Sequence, residues 1–115
     1  MSFNSTVYTL FLNIINAQND NVIALFEENN FDINVHLNKF GWTPLHAAAY
    51  KGNTALVKYF LMKGADENIR NFSGKSPKML AQDAGHHEVL ETMRHNRGTR
   101  AQIDLGSSTV IAGAA

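Results

Sequence analysis

Two stretches of this chain repeat one another at a spacing of 33 residues: Gly41 pairs with Gly74, Thr43 with Ser76, Pro44 with Pro77, Ala48 with Ala81, Gly52 with Gly85 and Val57 with Leu90. That many coincidences at one period mark an internal repeat, and a repeat restricts the chain to units stacked along one direction. The first copy, Gly41 to Gly52, reads as a helix with sharply defined ends. Gly41 can take a left-handed turn, Thr43 can cap the helix, Pro44 falls where its missing N–H costs nothing, and Gly52 stops the helix two turns later. So short a helix is unstable in isolation. It must be held by neighbours, and Ala47, Ala48 and Ala49 leave room for them to approach.

Outward from this stretch, Val7, Leu10, Phe11 and Ile14 recur at helical spacing within Ser5 to Asn16, with Thr9, Asn13 and Asn16 forming a polar stripe. Asp20 is positioned to cap a second helix over Asn21 to Asn29, with Val22, Ile23, Leu25 and Phe26 turned inward. The Asn- and Asp-rich segment from Asn30 to Phe40 lacks a helical period and reads as an extended or turn-like connector. Past Gly52, Asn53 caps a helix from Thr54 to Lys63 that packs through Leu56, Val57, Phe60 and Leu61 and ends at Gly64. The 33-residue frame then predicts helices over Ser76 to Asp83 and His87 to Arg94. From Gly98 onward that frame has no counterpart, and Gly98, Gly106, Ser107, Ser108 and Gly113 break any helix. Residues 98–115 are expected to be a flexible tail, or one that folds back through Ile103, Leu105, Val110 and Ile111.

Thr43-Pro44-Leu45-His46-Ala47-Ala48, followed by Gly52, Leu56-Val57 and Gly64-Ala65-Asp66, resembles a full ankyrin repeat, whose signature is Thr-Pro-Leu-His-x-Ala. Asn71 to Met93 is similar to a second repeat that ends the array, departing from the pattern at Lys78 and Met79, where the family has Leu and His. Asp32-Ile33-Asn34 matches Asp66-Glu67-Asn68 at an offset of 34, so the first two helices resemble a diverged capping repeat, with one extra residue before Gly41. The resemblance covers residues 7–94. It implies an all-α fold, a short ankyrin-repeat solenoid of three helix-turn-helix units joined by β-hairpin-like connectors. The units are 5–37, 38–70 and 71–97, giving one domain over 1–97 and the tail 98–115. Stacked units must turn polar faces outward at both ends. Thr9, Asn13 and Asn16 suit the front; Lys78, Gln82, Arg94, His95, Asn96 and Arg97 suit the back. The resemblance also gives His46 a structural role, its ring hydrogen-bonded near the helix start. His86, after Gly85, reads as a cap or loop contact.

Ten basic residues balance ten acidic ones, so no overall field draws the chain to nucleic acid or an anionic membrane. The absence of cysteine removes disulfides, thiolate nucleophiles and cysteine-based zinc sites. No basic residue precedes the first apolar run, which Asn13 and Asn16 interrupt; this is neither a signal peptide nor a membrane span, and a cytoplasmic location is expected. Motifs for a nucleophile elbow, a phosphate-cradling loop or a zinc protease are missing, so the expectation is a non-enzyme without cofactor. His87, Glu91 and His95, at i, i+4 and i+8, share one helix face and form a weak candidate for zinc or nickel. They lack a fourth ligand, and the resemblance places them on the outward face.

Function is then sought in residues that the scaffold does not need. The resemblance implies partner contacts beside the hairpin glycine and at the end of the inner helix. Here those positions are Lys39, Phe40, Trp42, Tyr50, Lys51 and Arg70, then Phe72, Ser73, Lys75, Asp83 and Ala84. Aromatic anchors among basic neighbours suit a protein partner presenting apolar and acidic side chains. The alternative is that Phe40 and Trp42 only cover the hairpin. The expected function is a non-catalytic protein–protein interaction module or adaptor, monomeric alone, binding neither nucleic acid nor membrane. The other reading is an inhibitor or regulator of a partner enzyme, including a pathogen effector acting on host proteins.

Overall fold

In a computed structural model of the chain, residues 5–95 are described. They form six helices and, among the described residues, no β-strand: α1 (Ser5–Ile15), α2 (Asn19–Asn29), α3 (Pro44–Lys51), α4 (Thr54–Met62), α5 (Pro77–Ala84) and α6 (residues 87–95). α1 packs with α2 and α3 with α4, α6 follows α5 through the turn at Gly85, and α3 packs between α1 and α5. Its burial is nearly complete: Leu45, His46, Ala47, Ala48 and Ala49 expose no surface. The alanines are therefore a packing requirement, since a larger side chain on α3 would push the flanking inner helices apart.

The ends of α3 follow the expected chemistry. The Thr43 hydroxyl accepts the His46 backbone N–H, and His46 Nδ1 accepts the Thr43 N–H at 3.1 Å, so each residue caps the other. Pro44 begins the helix, and Gly52, at φ 72°, returns its N–H to the carbonyls of Ala48 and Ala49. Ser76, Pro77 and Gly85 repeat this one unit later. Asn53 caps α4 through the Leu56 N–H at 3.2 Å.

The first unit differs from expectation at its turn. α2 starts at Asn19, ahead of the expected Asn21, and Asp20 lies in its first turn and is not the cap. The reason is Ala17, which adopts a left-handed conformation (φ 58°) and closes α1 as Gly52 closes α3. The backbone bond from Gln18 N–H to the Asn13 carbonyl, 2.9 Å, is the counterpart of that from Asn53 to Ala48. Asn19 is then free to pair with the next unit. Its side-chain amide and that of Asn53 bond reciprocally, at 2.8 and 3.4 Å.

Such bonds between units recur along the stack. Asn34 Oδ1 accepts the Asp66 N–H at 2.9 Å, and the Phe72 N–H donates to the Phe40 carbonyl at 2.9 Å. His86 Nε2 lies 2.9 Å from the Tyr50 carbonyl, and a Cβ on Gly52 would fall 2.7 Å from the His86 ring, so this glycine is needed for both its turn and its neighbour. The outer side of the first junction is filled by aromatic rings, with Phe26 5.7 Å from Phe31 and 5.5 Å from Phe60 in edge contacts. At the front, Asn13 donates to the Thr9 carbonyl and accepts from Asn21, which meets the need for a polar face. At the back, Lys78, Gln82, Arg94 and His95 are exposed. Asn96, Arg97 and the tail 98–115 lie outside the described residues.

One contact joins two units through a fully buried side chain. His46 Nε2 sits 2.9 Å from the Lys75 carbonyl while Nδ1 accepts from Thr43, which fixes the ring as the neutral Nε2–H tautomer. Burial is the main cause holding its pKa below the ordinary 6.5, with the Lys75 carbonyl pulling the other way. Because the unfolded chain then binds this proton more readily than the folded one, the contribution of His46 is complete above 6.5 and declines as pH falls below that value. Urea unfolding across this window should show the wild type losing stability more steeply than His46→Gln on acidification. At neutral pH, His46→Ala is expected to cost about 2–3 kcal/mol, since it strands buried polar groups on both units.

Candidate partner-binding face

The turns that precede α3 and α5 are built alike. Asn38 Oδ1 accepts the N–H groups of Phe40 and Trp42 at 3.0 and 3.3 Å. Asn71 Oδ1 accepts those of Ser73 and Lys75 at 2.9 and 3.0 Å. Each Asn side chain replaces a missing backbone partner, which fixes the turn without a strand. Phe40 and Phe72 project from these two turns, 57% and 71% exposed. The Phe72 ring lies over Gly41, where a Cβ would approach it to 2.7 Å, and His36 meets it edge-on at 5.9 Å.

The residue before each helix cap and the residue in the last turn face the same way, so Trp42 and Tyr50 form a pair. Their rings meet edge-to-face at 5.3 Å, and Trp42 also lies 6.4 Å from His46. Trp42 is half-buried and packed on the core, whereas Tyr50 is 45% exposed. One unit later the same two positions are Lys75 and Asp83, and they form an ion pair of 2.8 Å. An aromatic pair and an ion pair thus occupy equivalent places on adjacent units.

The basic residues differ in availability. Arg70 donates to the Gly74 carbonyl at 3.0 Å, and Lys75 is held by Asp83. Lys39 Nζ lies 5.5 Å from the centre of the Phe40 ring, a cation–π contact. Lys51 is exposed in the last turn of α3 and has no ion pair among the described residues. His36 carries no sequence signal of this role, because nothing in its spacing points to the ring of Phe72.

The other candidate residues, His87, Glu91 and His95, lie on α6. Glu91 is bonded to Arg94, which holds its carboxyl below the usual range, and its other oxygen is 3.8 Å from His95 Nε2. Among the described residues no three acidic or histidine side chains converge as a metal site would require. Glu91 and His95 instead line a groove of about 460 Å³ between α4 and α6, together with Lys58, Leu61, Met62 and Glu88. Among the described residues no helix is long and apolar enough to cross a membrane.

These positions make a stability prediction. Trp42→Ala should cost about 1–2 kcal/mol in urea unfolding, as a half-buried ring is lost from the core edge, while Phe40→Ala and Phe72→Ala should stay within about 0.5 kcal/mol of wild type.

The profile of the family described as Ankyrin repeats (3 copies) matches residues 10–105. The chain is 30% identical over 86 residues to the human transient receptor potential cation channel subfamily A member 1, covering 73% of this chain and 8% of the channel. It is 45% identical over 51 residues to the probable E3 ubiquitin-protein ligase XBOS33 of Oryza sativa subsp. japonica, covering 44% of this chain and 10% of the ligase. Against alpha-latrocrustotoxin-Lt1a of Latrodectus tredecimguttatus the identity is 40% over 72 residues, 63% of this chain and 5% of the toxin. The chain therefore spans a tenth or less of the length of these relatives. Repeats of this kind are generally protein–protein interaction modules. With its three stacked units and a family match over most of its length, the chain belongs to the ankyrin-repeat family.

Proposed function

We propose that this chain is a non-catalytic, cytoplasmic interaction module that acts as an adaptor, binding a protein partner through the hairpin turns and the ends of the inner helices. The observation that carries this reading is the pair Phe40 and Phe72, held 57% and 71% exposed on adjacent turns whose backbones are fixed by Asn38, Asn71 and the bond between them. A large apolar side chain on a fixed backbone loses little conformational freedom on binding, which is the economy that hot spots exploit. Trp42 and Tyr50 extend the apolar strip, and Lys39 and Lys51 border it. Arg70 and Lys75 are already engaged within the chain, so an acidic group on the partner is met first by Lys39 and Lys51. The preferred partner presents apolar side chains flanked by a few carboxylates. The relatives include a channel, a ligase and a toxin by name, and that diversity supports a shared unit that binds and does not catalyse.

Affinity capture from an extract with the wild type beside Phe40→Ala/Phe72→Ala and Trp42→Ala/Tyr50→Ala tests this. Each double variant should retain less than about a tenth of the captured partner, the signature of losing a hot-spot residue. Undiminished capture by both would place the binding surface elsewhere. Activity of a captured enzyme, with and without the chain, separates adaptor from inhibitor.

A further inference from the structure

The turn before α5 differs in character from the turn before α3 where the 33-residue frame aligns them. Leu37, Phe40 and Trp42 of the earlier turn are replaced by Arg70, Ser73 and Lys75 in the later one. Apolar residues have given way to a hydroxyl between two cations. Ser73 is also the one serine or threonine of the chain that stands three residues after an arginine. Its turn is complete without its side chain. Every backbone N–H from Asn71 to Lys75 is bonded: Asn71 to the Lys75 carbonyl, Phe72 to the Phe40 carbonyl, Gly74 to the Asn71 carbonyl, and both Ser73 and Lys75 to Asn71 Oδ1. Ser73 is exposed, and its hydroxyl serves none of these bonds and has no hydrogen-bond partner among the described residues.

The flanking cations keep capacity for an anion. Arg70 is exposed and donates through Nη1 to the Gly74 carbonyl at 3.0 Å, which holds the guanidinium against the residue after Ser73. Its Nη2 and Nε have no partner among the described residues. Lys75, with a side chain 44% exposed, reaches Asp83 at 2.8 Å. An exposed ion pair of this kind contributes little, so a stronger anion on the same turn can draw the ammonium away. A guanidinium fork with open donors and an ammonium group together suit a phosphate.

We propose that Ser73 is a phosphorylation site that switches off the partner-binding face. A kinase that reads an arginine three residues before its acceptor recognises Arg70, and the fixed turn presents the hydroxyl. The γ-phosphoryl group of ATP passes to Ser73 Oγ: the bond from the γ-phosphorus to ADP breaks as the new one forms, and the hydroxyl proton goes to the catalytic base of the kinase. The product carries a charge of about −1.5 to −2 at neutral pH, next to Phe72 and bracketed by Arg70 and Lys75. The local balance of Arg70, Lys75 and Asp83 then changes from net positive to net negative. Such a surface repels the carboxylates of the partner proposed above. The switch rests on that reading of the binding face, whereas the modification itself does not.

Treatment of the full chain with ATP and a basophilic serine kinase tests the proposal. Fragmentation mass spectrometry should place a phosphoryl group on Ser73, with modification reduced at least about tenfold in Arg70→Ala. Partner capture should fall at least about tenfold in the phosphorylated chain and return on phosphatase treatment, with the Tm unchanged, and kinase treatment should not alter capture by Ser73→Ala. An unmodified Ser73 in the folded chain would overturn the proposal, as would undiminished capture after full phosphorylation. So would a loss of capture that accompanies a Tm lower by about 5 °C or more, since the phosphate would then be melting the repeat. Phe40→Ala/Phe72→Ala, run alongside, separates the two failures. Diminished capture by this variant with undiminished capture by the phosphorylated chain refutes the switch alone; undiminished capture by both refutes the binding reading and the switch with it.

Discussion

Everything in this small stack depends on units that cannot stand alone being fastened to one another, and the deepest fastening is the buried ring of His46. Its two nitrogens serve different units. Nδ1 accepts from Thr43 at the start of its own helix, and Nε2–H donates to the Lys75 carbonyl in the next turn. This demands a neutral imidazole in a fully buried place, so burial, tautomer and stacking are one constraint. Met79 takes the equivalent position in the third unit and cannot make the bond. The first unit relies instead on the Asn19–Asn53 amide pair, the bond from Asp66 to Asn34 and the aromatic cluster around Phe26. Each junction thus has its own means of closure on a common backbone plan.

That plan separates residues that specify the fold from those it does not use. Thr43, Pro44, His46, the alanines of α3 and Gly52 are committed to caps, packing and close approach. Phe40 is not, and Phe72 is only in so far as its ring covers Gly41; both remain largely exposed on turns stabilised by other residues. Trp42 falls between the two groups. It packs on His46 and Tyr50, so under the proposed function its substitution would report on both stability and binding, whereas Phe40 and Phe72 would report on binding with little change in stability.

Much of the fold was legible because its signals are local. A cap, a proline and a glycine within ten residues define α3, and the same set 33 residues later defines α5. The first turn is not legible, because Ala17 adopts the left-handed conformation that glycine announces elsewhere, so α2 begins ahead of the position that Asp20 suggests as its cap. The exposure of Phe40 and Phe72 follows from their place beside the hairpin glycine. The neutralisation of Lys75 by Asp83, and the tying of Arg70 to its own turn, could not be read from composition, since they depend on how the last turn of α5 faces the residue before its cap. The sequence therefore suggests a more basic surface than the folded chain presents.

Under the proposed function, partners meet the hairpin turns and not the outer helices. Site-specific photocrosslinking compares the two directly, with a photoreactive phenylalanine analogue placed at Phe72 or at Met62, positions 71% and 74% exposed. In an extract, a discrete protein adduct should form from position 72 and not from position 62. An adduct from position 62 alone would contradict the account and assign binding to the groove between α4 and α6.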